Sequence, residues 1–138
     1  MDHVAIMNKK WKLLPKILSG EKKIESRWYV SRFAPWNRIV KGDVVYFKDA
    51  GCLVTLKAKV GKVLQFENCN SEEIISKYGK DIAFVDPKKA FDWVKGKKYC
   101  ILIFLENVSE VEPFDIDKTG FGNACAWLCV GDIARVKL

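Results

Sequence analysis

Histidine is nearly absent: the 138 residues contain one, His3. Its scarcity and its place near the end of the chain argue against a histidine-dependent general acid and base, and against the serine-histidine and cysteine-histidine nucleophiles with it. Proline is scarce too, with four in all, and no low-complexity tract, linker or internal repeat divides the chain. No apolar run approaches the ~20 residues needed to cross a bilayer, and no segment has the charged, apolar, small-residue order of a signal peptide. Export and membrane insertion are therefore not expected. The five cysteines, Cys52, Cys69, Cys100, Cys125 and Cys129, are odd in number and form no C-x-x-C pair. Neither a disulfide framework nor a zinc knuckle is indicated, and they read as reduced thiols of a cytoplasmic protein with no metal and no cofactor implied. Cys125 and Cys129 lie four apart beside Trp127 and Leu128, where buried packing is the ordinary reading.

What is present is enough apolar material for one continuous core. With 49% hydrophobic residues, residues 1–138 are expected to form a single domain without an appended module. Thirty per cent charged residues and 12% aromatics argue against disorder. Lysine and arginine number 24 against 17 acids, giving +7 and favouring an anionic, phosphate-rich partner. The excess is dispersed from Lys9 to Lys137, a pattern that solubility alone also produces.

Periodicity places the elements. Trp11, Leu14, Ile17 and Leu18 predict an amphipathic helix over 8–19, ended by Gly20, with Pro15 either near its start or at a kink. Residues 22–29 read as a strand, and 44–48 as another after the Lys41-Gly42-Asp43 turn. Alternation over 53–66 predicts a long strand with one solvated face, bulged at Gly61. Ser71 is placed to cap a helix running to Lys77 or Tyr78, and a second helix is expected over 87–95. The apolar run 99–105 resembles a strand buried on both faces, extended or followed by 108–114, and 131–138 a closing strand. About five to seven short strands, one helix before them and one or two inserted helices fit a small mixed β-barrel, α+β in class.

One segment is more specific. Gly20, Lys22, Glu25 and Arg27 match the pattern G-x-K-x-x-E-x-R, which arises by chance in a chain this long roughly once in several hundred. It follows a short helix and enters a strand, and it resembles the signature of the ASCH domain family, relatives of the PUA RNA-binding domain. The resemblance implies a PUA-like barrel with a cleft beside this strand that receives RNA or nucleotide-like ligands. For some members it implies hydrolysis of an acylated cytidine or cleavage of RNA. In the cytidine-deacylating members a threonine accompanies the motif lysine at the position Glu25 fills here.

The residues can also be read on their own. Glu25 and Arg27, two apart, share one face of a strand, and Lys23 shares it with them. Lys22 has the wrong parity and reaches the same groove only if the chain turns or bulges after Gly20. An arginine fork suits phosphate or a base edge, and Lys22 supplies a compact charge. Aromatic residues interleave with arginines just beyond, as single-stranded nucleic acid recognition uses them. Trp28 has opposite parity to Arg27 and is expected buried; Trp36, in a loop beside Pro35, is the stacking candidate, with Arg32 near it. The binding set is thus Lys22, Glu25, Arg27, Arg32 and Trp36. Paired charges along a sheet edge would look similar without any ligand.

Three functions remain open on sequence: a binding module for RNA or a nucleotide, a small amidohydrolase or ribonuclease, and a structural or protein-interaction role. As an enzyme, the chain would use Lys22 and Glu25, with Glu67 or Glu106 as a further acid. A hydrolase requires Lys22 desolvated beside a carboxylate in a closed pocket, whereas a nucleic-acid binder requires an open basic groove with exposed aromatics.

Overall fold

The computed structural model describes residues 1–84, 86–122 and 125–138. Six strands form one mixed sheet, β1 (Asp2–Met7), β2 (Ile24–Tyr29), β3 (Val44–Asp49), β4 (Val54–Glu67), β5 (Tyr99–Phe114) and β6 (Trp127–Gly131). Their order is β2-β5-β4-β3-β1-β6. All neighbours are antiparallel except β1 and β3, which run parallel. The sheet curls into an open half-barrel, and the α+β class and strand number agree with the sequence pattern. Among the described residues no helix is long and apolar enough to cross a membrane.

The frame is the β4–β5 pair, of 14 and 16 residues. Gly61 bulges it: the register shifts between Val60 and Lys62, and a Cβ at Gly61 would lie 2.7 Å from the Glu106 carboxylate, so the missing side chain leaves room for the Glu106 side chain of the partner strand. On β5, Ile101 and Ile103 enter the cluster inside the curl with Ala5, Phe47 and Trp127. Cys100 and Leu102 enter a second cluster with Ile24, Trp28, Ile74, Ile82 and Val94 under the helices. Alternate residues therefore meet separate cores, which is why this stretch is apolar without a break. Trp28 is buried, as its parity requires.

The helices adjust the sequence-based boundaries. A 3-10 turn, Lys9–Trp11, precedes α1 (Leu13–Ser19), so Pro15 lies in the first helical turn, where its missing N–H has no partner to lose. Gly20 ends α1 at φ 85°. α2 (Ser71–Ile82) is capped by Asn70 rather than Ser71, its side chain accepting from the Glu73 amide, and runs through Gly79 to the left-handed Ala83. α3 (Pro87–Val94) is capped by the Asp86 carboxylate, which accepts from the Lys88 and Lys89 amides.

Two corrections concern the chain ends. Residues 2–7, unassigned from sequence, form β1, whose side chains are largely buried because its strand has a neighbour on each side. The closing strand is Trp127–Gly131, not 131–138. Gly131 at φ 79° ends it, Asp132 caps the 3-10 turn Ile133–Arg135, and beyond it an isolated bridge joins Ile116 to Lys137.

Candidate functional site

The motif begins by solving its own parity problem. After Gly20 the backbone turns: the Lys22 amide donates to the Lys16 carbonyl at 2.9 Å and the Lys23 amide to the Asp81 carbonyl at 2.8 Å. Lys22 therefore precedes the strand rather than lying on it, and its side chain runs back toward Glu25. Its Nζ donates to the Ile24 carbonyl at 2.9 Å and the Ile82 carbonyl at 2.7 Å, and stands 3.2 Å from Glu25 Oε1. Ile82 is the last residue of α2, so the ammonium satisfies a helix-terminal carbonyl at the negative end of the dipole. Lys23, by contrast, is exposed and does not join Glu25 and Arg27.

Glu25 is the centre of the cluster. Oε1 accepts from the Ser26 amide at 3.1 Å, and Oε2 accepts from Arg27 Nε at 3.2 Å and Nη2 at 2.8 Å. Arg27 then crosses the seam between the sheet edges. Nη1 donates to the Ala126 carbonyl at 3.3 Å, and Nη2 reaches the Ile6 carbonyl at 3.5 Å and Met7 Sδ at 3.3 Å. The guanidinium lies 5.0 Å over the Trp127 ring.

These partners decide protonation and availability. Burial alone pushes the Glu25 carboxyl up, but Lys22 and Arg27 beside it hold it below the usual carboxylate range. Burial lowers the Lys22 pKa, and Glu25 opposes that shift. With three acceptors around it, Lys22 has no hydrogen left for a ligand, contrary to its expected role in binding phosphate. Of the five donors of Arg27, one Nη1 hydrogen is left. The cluster is thus a closed ionic brace with a net single positive charge.

A cavity of about 990 Å³ opens over this brace, between β2, the Lys9–Trp11 turn and the α2–α3 connection. Lys22, Glu25 and Arg27 line its floor, Tyr29 and Phe84 its walls, and Asp86 and Lys89 its helical side. The Tyr29 hydroxyl donates to the Ala34 carbonyl at 2.9 Å, and burial raises its pKa. Trp11 and Trp93 stand at the mouth. The volume is at the upper end of the range that ligand sites occupy, about 300–1,000 Å³.

Two expected residues are elsewhere. Trp36 is not a stacking platform: it is buried, its indole edge-on to Tyr99 with ring centroids 5.1 Å apart. A ring of that size next to a core opening gains more from burial than from exposure. Arg32 pairs with Glu67 at 2.6 Å on the surface, over Tyr99 and Trp36, and does not line the cavity. Glu67 and Glu106 are also absent from its lining. The sequence reading missed Trp11, Phe84, Asp86, Lys89 and Trp93. The available signal was a tryptophan set among lysines twice, at 9–12 and 93–98.

Neither a protein-family model nor a curated protein sequence matches the chain. Solved structures do. The chain is similar to the ASCH protein of Zymomonas mobilis with a TM-score of 0.67 and 15% identity, covering 91% of this chain and 85% of that one. A tyrosine-to-phenylalanine mutant of that protein gives a TM-score of 0.67 and 15% identity over 91% and 87% of the chains. A serine-to-alanine mutant gives 0.67 and 16% over 91% and 85%. At this identity the likeness establishes the fold, which is that of an ASCH domain.

Proposed function

We propose that this chain, built on the ASCH fold, forms one domain that binds RNA or a nucleotide-like ligand in the cavity beside β2. The observation that carries the reading is the composition of that cavity: a rigid floor of net positive charge under aromatic walls, open to solvent on the side of α3. The base lies against Phe84 and Tyr29, and Asp86, a carboxylate, accepts from a base amino group. Arg27 directs its remaining Nη1 hydrogen, and Lys89 its ammonium, toward phosphate or a base acceptor. Lys22 and Glu25 hold Arg27 in place rather than touching the ligand. The five free cysteines support a reducing, cytoplasmic setting.

The test is calorimetric titration of the four nucleoside 5′-monophosphates and a short single-stranded RNA against wild type and Lys89→Ala. Lys89 is exposed, so the variant folds, and binding weakened by about 10- to 150-fold supports the site, since a charge-assisted hydrogen bond contributes about 1.5–3 kcal/mol. Unchanged affinity removes α3 from it.

One observation favours a second reading, hydrolysis of a modified cytidine or of RNA: Lys22 is desolvated, with its pKa lowered, 3.2 Å from Glu25. Its saturated hydrogen bonds and the open cavity weigh against it. Incubation with an acylated cytidine decides: acyl release by the wild type that disappears in Lys22→Met at a temperature where circular dichroism shows the variant still folded supports hydrolysis, and no release from the wild type contradicts it.

A further inference from the structure

The five tryptophans divide sharply. Trp28, Trp36 and Trp127 are 3%, 9% and 1% exposed, whereas Trp11 and Trp93 are 40% and 44% exposed. The two exposed rings touch, with centroids 5.9 Å apart at 88°, and they do so at the cavity mouth. An exposed pair of the largest apolar side chains leaves surface that folding would otherwise bury. Both rings also stand among cations. Lys9, Lys10 and Lys12 flank Trp11 and are exposed. On α3, Lys89 lies one turn before Trp93, and Lys97 Nζ is 5.9 Å from the Trp93 ring. Of the acids in this region, Asp86 caps α3, Asp92 is exposed beside Trp93 and Asp49 lies near Lys9, and the lysines still outnumber them, so the balance is positive.

We propose that this mouth is a track for single-stranded RNA, so that the ligand of the cavity is one nucleotide of a strand rather than a free nucleotide. The adjoining base stacks on the Trp11–Trp93 pair, and the backbone phosphates on either side lie against the lysines of the 3-10 turn and of the α3 end. Flat exposed rings between cations suit a polymer that alternates bases with phosphates. An acidic peptide would use the lysines and leave the rings idle. The inference rests on the reading of the cavity as a nucleotide site.

Binding of a fluorescein-labelled short single-stranded RNA is measured by anisotropy over a range of salt, and of nucleoside 5′-monophosphates by calorimetry. Wild type, Trp93→Ala and the double variant Lys10→Ala/Lys97→Ala are compared, with melting temperatures to confirm folding. Trp93→Ala is expected to weaken RNA by about 5- to 150-fold, the effect of losing one base–aromatic stack, and mononucleotides by much less. The double lysine variant is expected to weaken RNA and to flatten its salt dependence by about 0.7 in log–log slope for each phosphate no longer neutralised, leaving mononucleotides unchanged. If the wild type binds mononucleotides but RNA no tighter, or the variants leave RNA affinity intact, the track is overturned while the cavity reading stands. If neither probe binds, both fall. If polyglutamate displaces the RNA and is itself weakened only by the lysine variant, the mouth is an acidic-peptide surface instead.

Discussion

Arg27 Nη1, on the β2 edge of the sheet, donates to the carbonyl of Ala126, beside the β6 edge and 99 positions later in sequence, at 3.3 Å. Among the described residues no strand pairing closes this gap, so a side chain held by Glu25 joins its edges. The first consequence concerns stability. Arg27→Ala removes the hydrogen bonds across the seam and leaves Glu25, 5% exposed in its side chain, with Lys22 alone; a loss of about 3–5 kcal/mol is expected, as when one partner of a buried pair is deleted. Arg27→Lys keeps the charge but not the fork and should recover only part. Urea unfolding midpoints measure both. A loss below about 1 kcal/mol for Arg27→Ala would show that the seam is held by packing alone.

Lys22 gives the second prediction. Because its ammonium binds two carbonyls and Glu25, Lys22→Met takes that donor from two buried carbonyls and leaves the buried Glu25 carboxylate with only the Ser26 amide and Arg27. Unfolding should become easier by about 3–5 kcal/mol, with the C-terminal end of α2 no longer tied to β2. If instead stability is kept and ligand binding disappears, Lys22 touches the ligand directly.

A third prediction is a pH dependence centred on His3, which is fully buried. Trp127 Nε1, which can only donate, gives its hydrogen to His3 Nδ1 at 3.1 Å, so the ring carries its hydrogen on Nε2 and donates it to Asp43 at 2.8 Å. Burial lowers the His3 pKa; Asp43 opposes the shift, and the N-terminal ammonium and Arg38 add to it. The unfolded chain therefore binds this proton first. The neutral ring's contribution is complete above about pH 6.5 and is lost as the pH falls from there through the folded pKa, at up to about 1.4 kcal/mol per pH unit. A second loss follows at lower pH. The Glu25 pKa is depressed, so its contribution is present above the ordinary carboxylate value and disappears as pH falls through the folded one. Denaturation series from pH 8 to 3 should show both phases, and His3→Phe should lack the first. A stability that rises between pH 6.5 and 5 would contradict the assignment.

Much of this fold was legible because its strands are regular. Val44–Asp49, Val54–Glu67 and Tyr99–Phe114 follow period-two or continuous apolar patterns, and Gly61 marked the bulge between them. β1 was not, because Val4 to Met7 is too short an apolar run to distinguish strand from helix by period. The motif pointed to the face of β2 that lines the cavity, and the turn after Gly20 brought Lys22 in as parity demanded. What spacing does not reveal is who saturates whom: the carbonyl of Ile82, sixty residues away, decides that Lys22 has nothing left to offer. Trp36 and Trp93 make the same point in reverse. Each has one polar and one apolar neighbour in sequence, yet one is buried in the core and the other faces solvent, and only tertiary packing separates them.

The fourth prediction tests the cavity most directly through the indole N–H resonances of the five tryptophans, followed by ¹H–¹⁵N NMR during titration with nucleoside 5′-monophosphates and then a short single-stranded RNA. The peaks of Trp11 and Trp93, at the mouth, are expected to move with RNA, and Trp28, on the cavity wall, with either ligand. Trp36, buried outside the lining, should stay fixed. A shift at Trp36 without the others, or five unmoved peaks at saturating ligand, would contradict nucleotide binding beside β2.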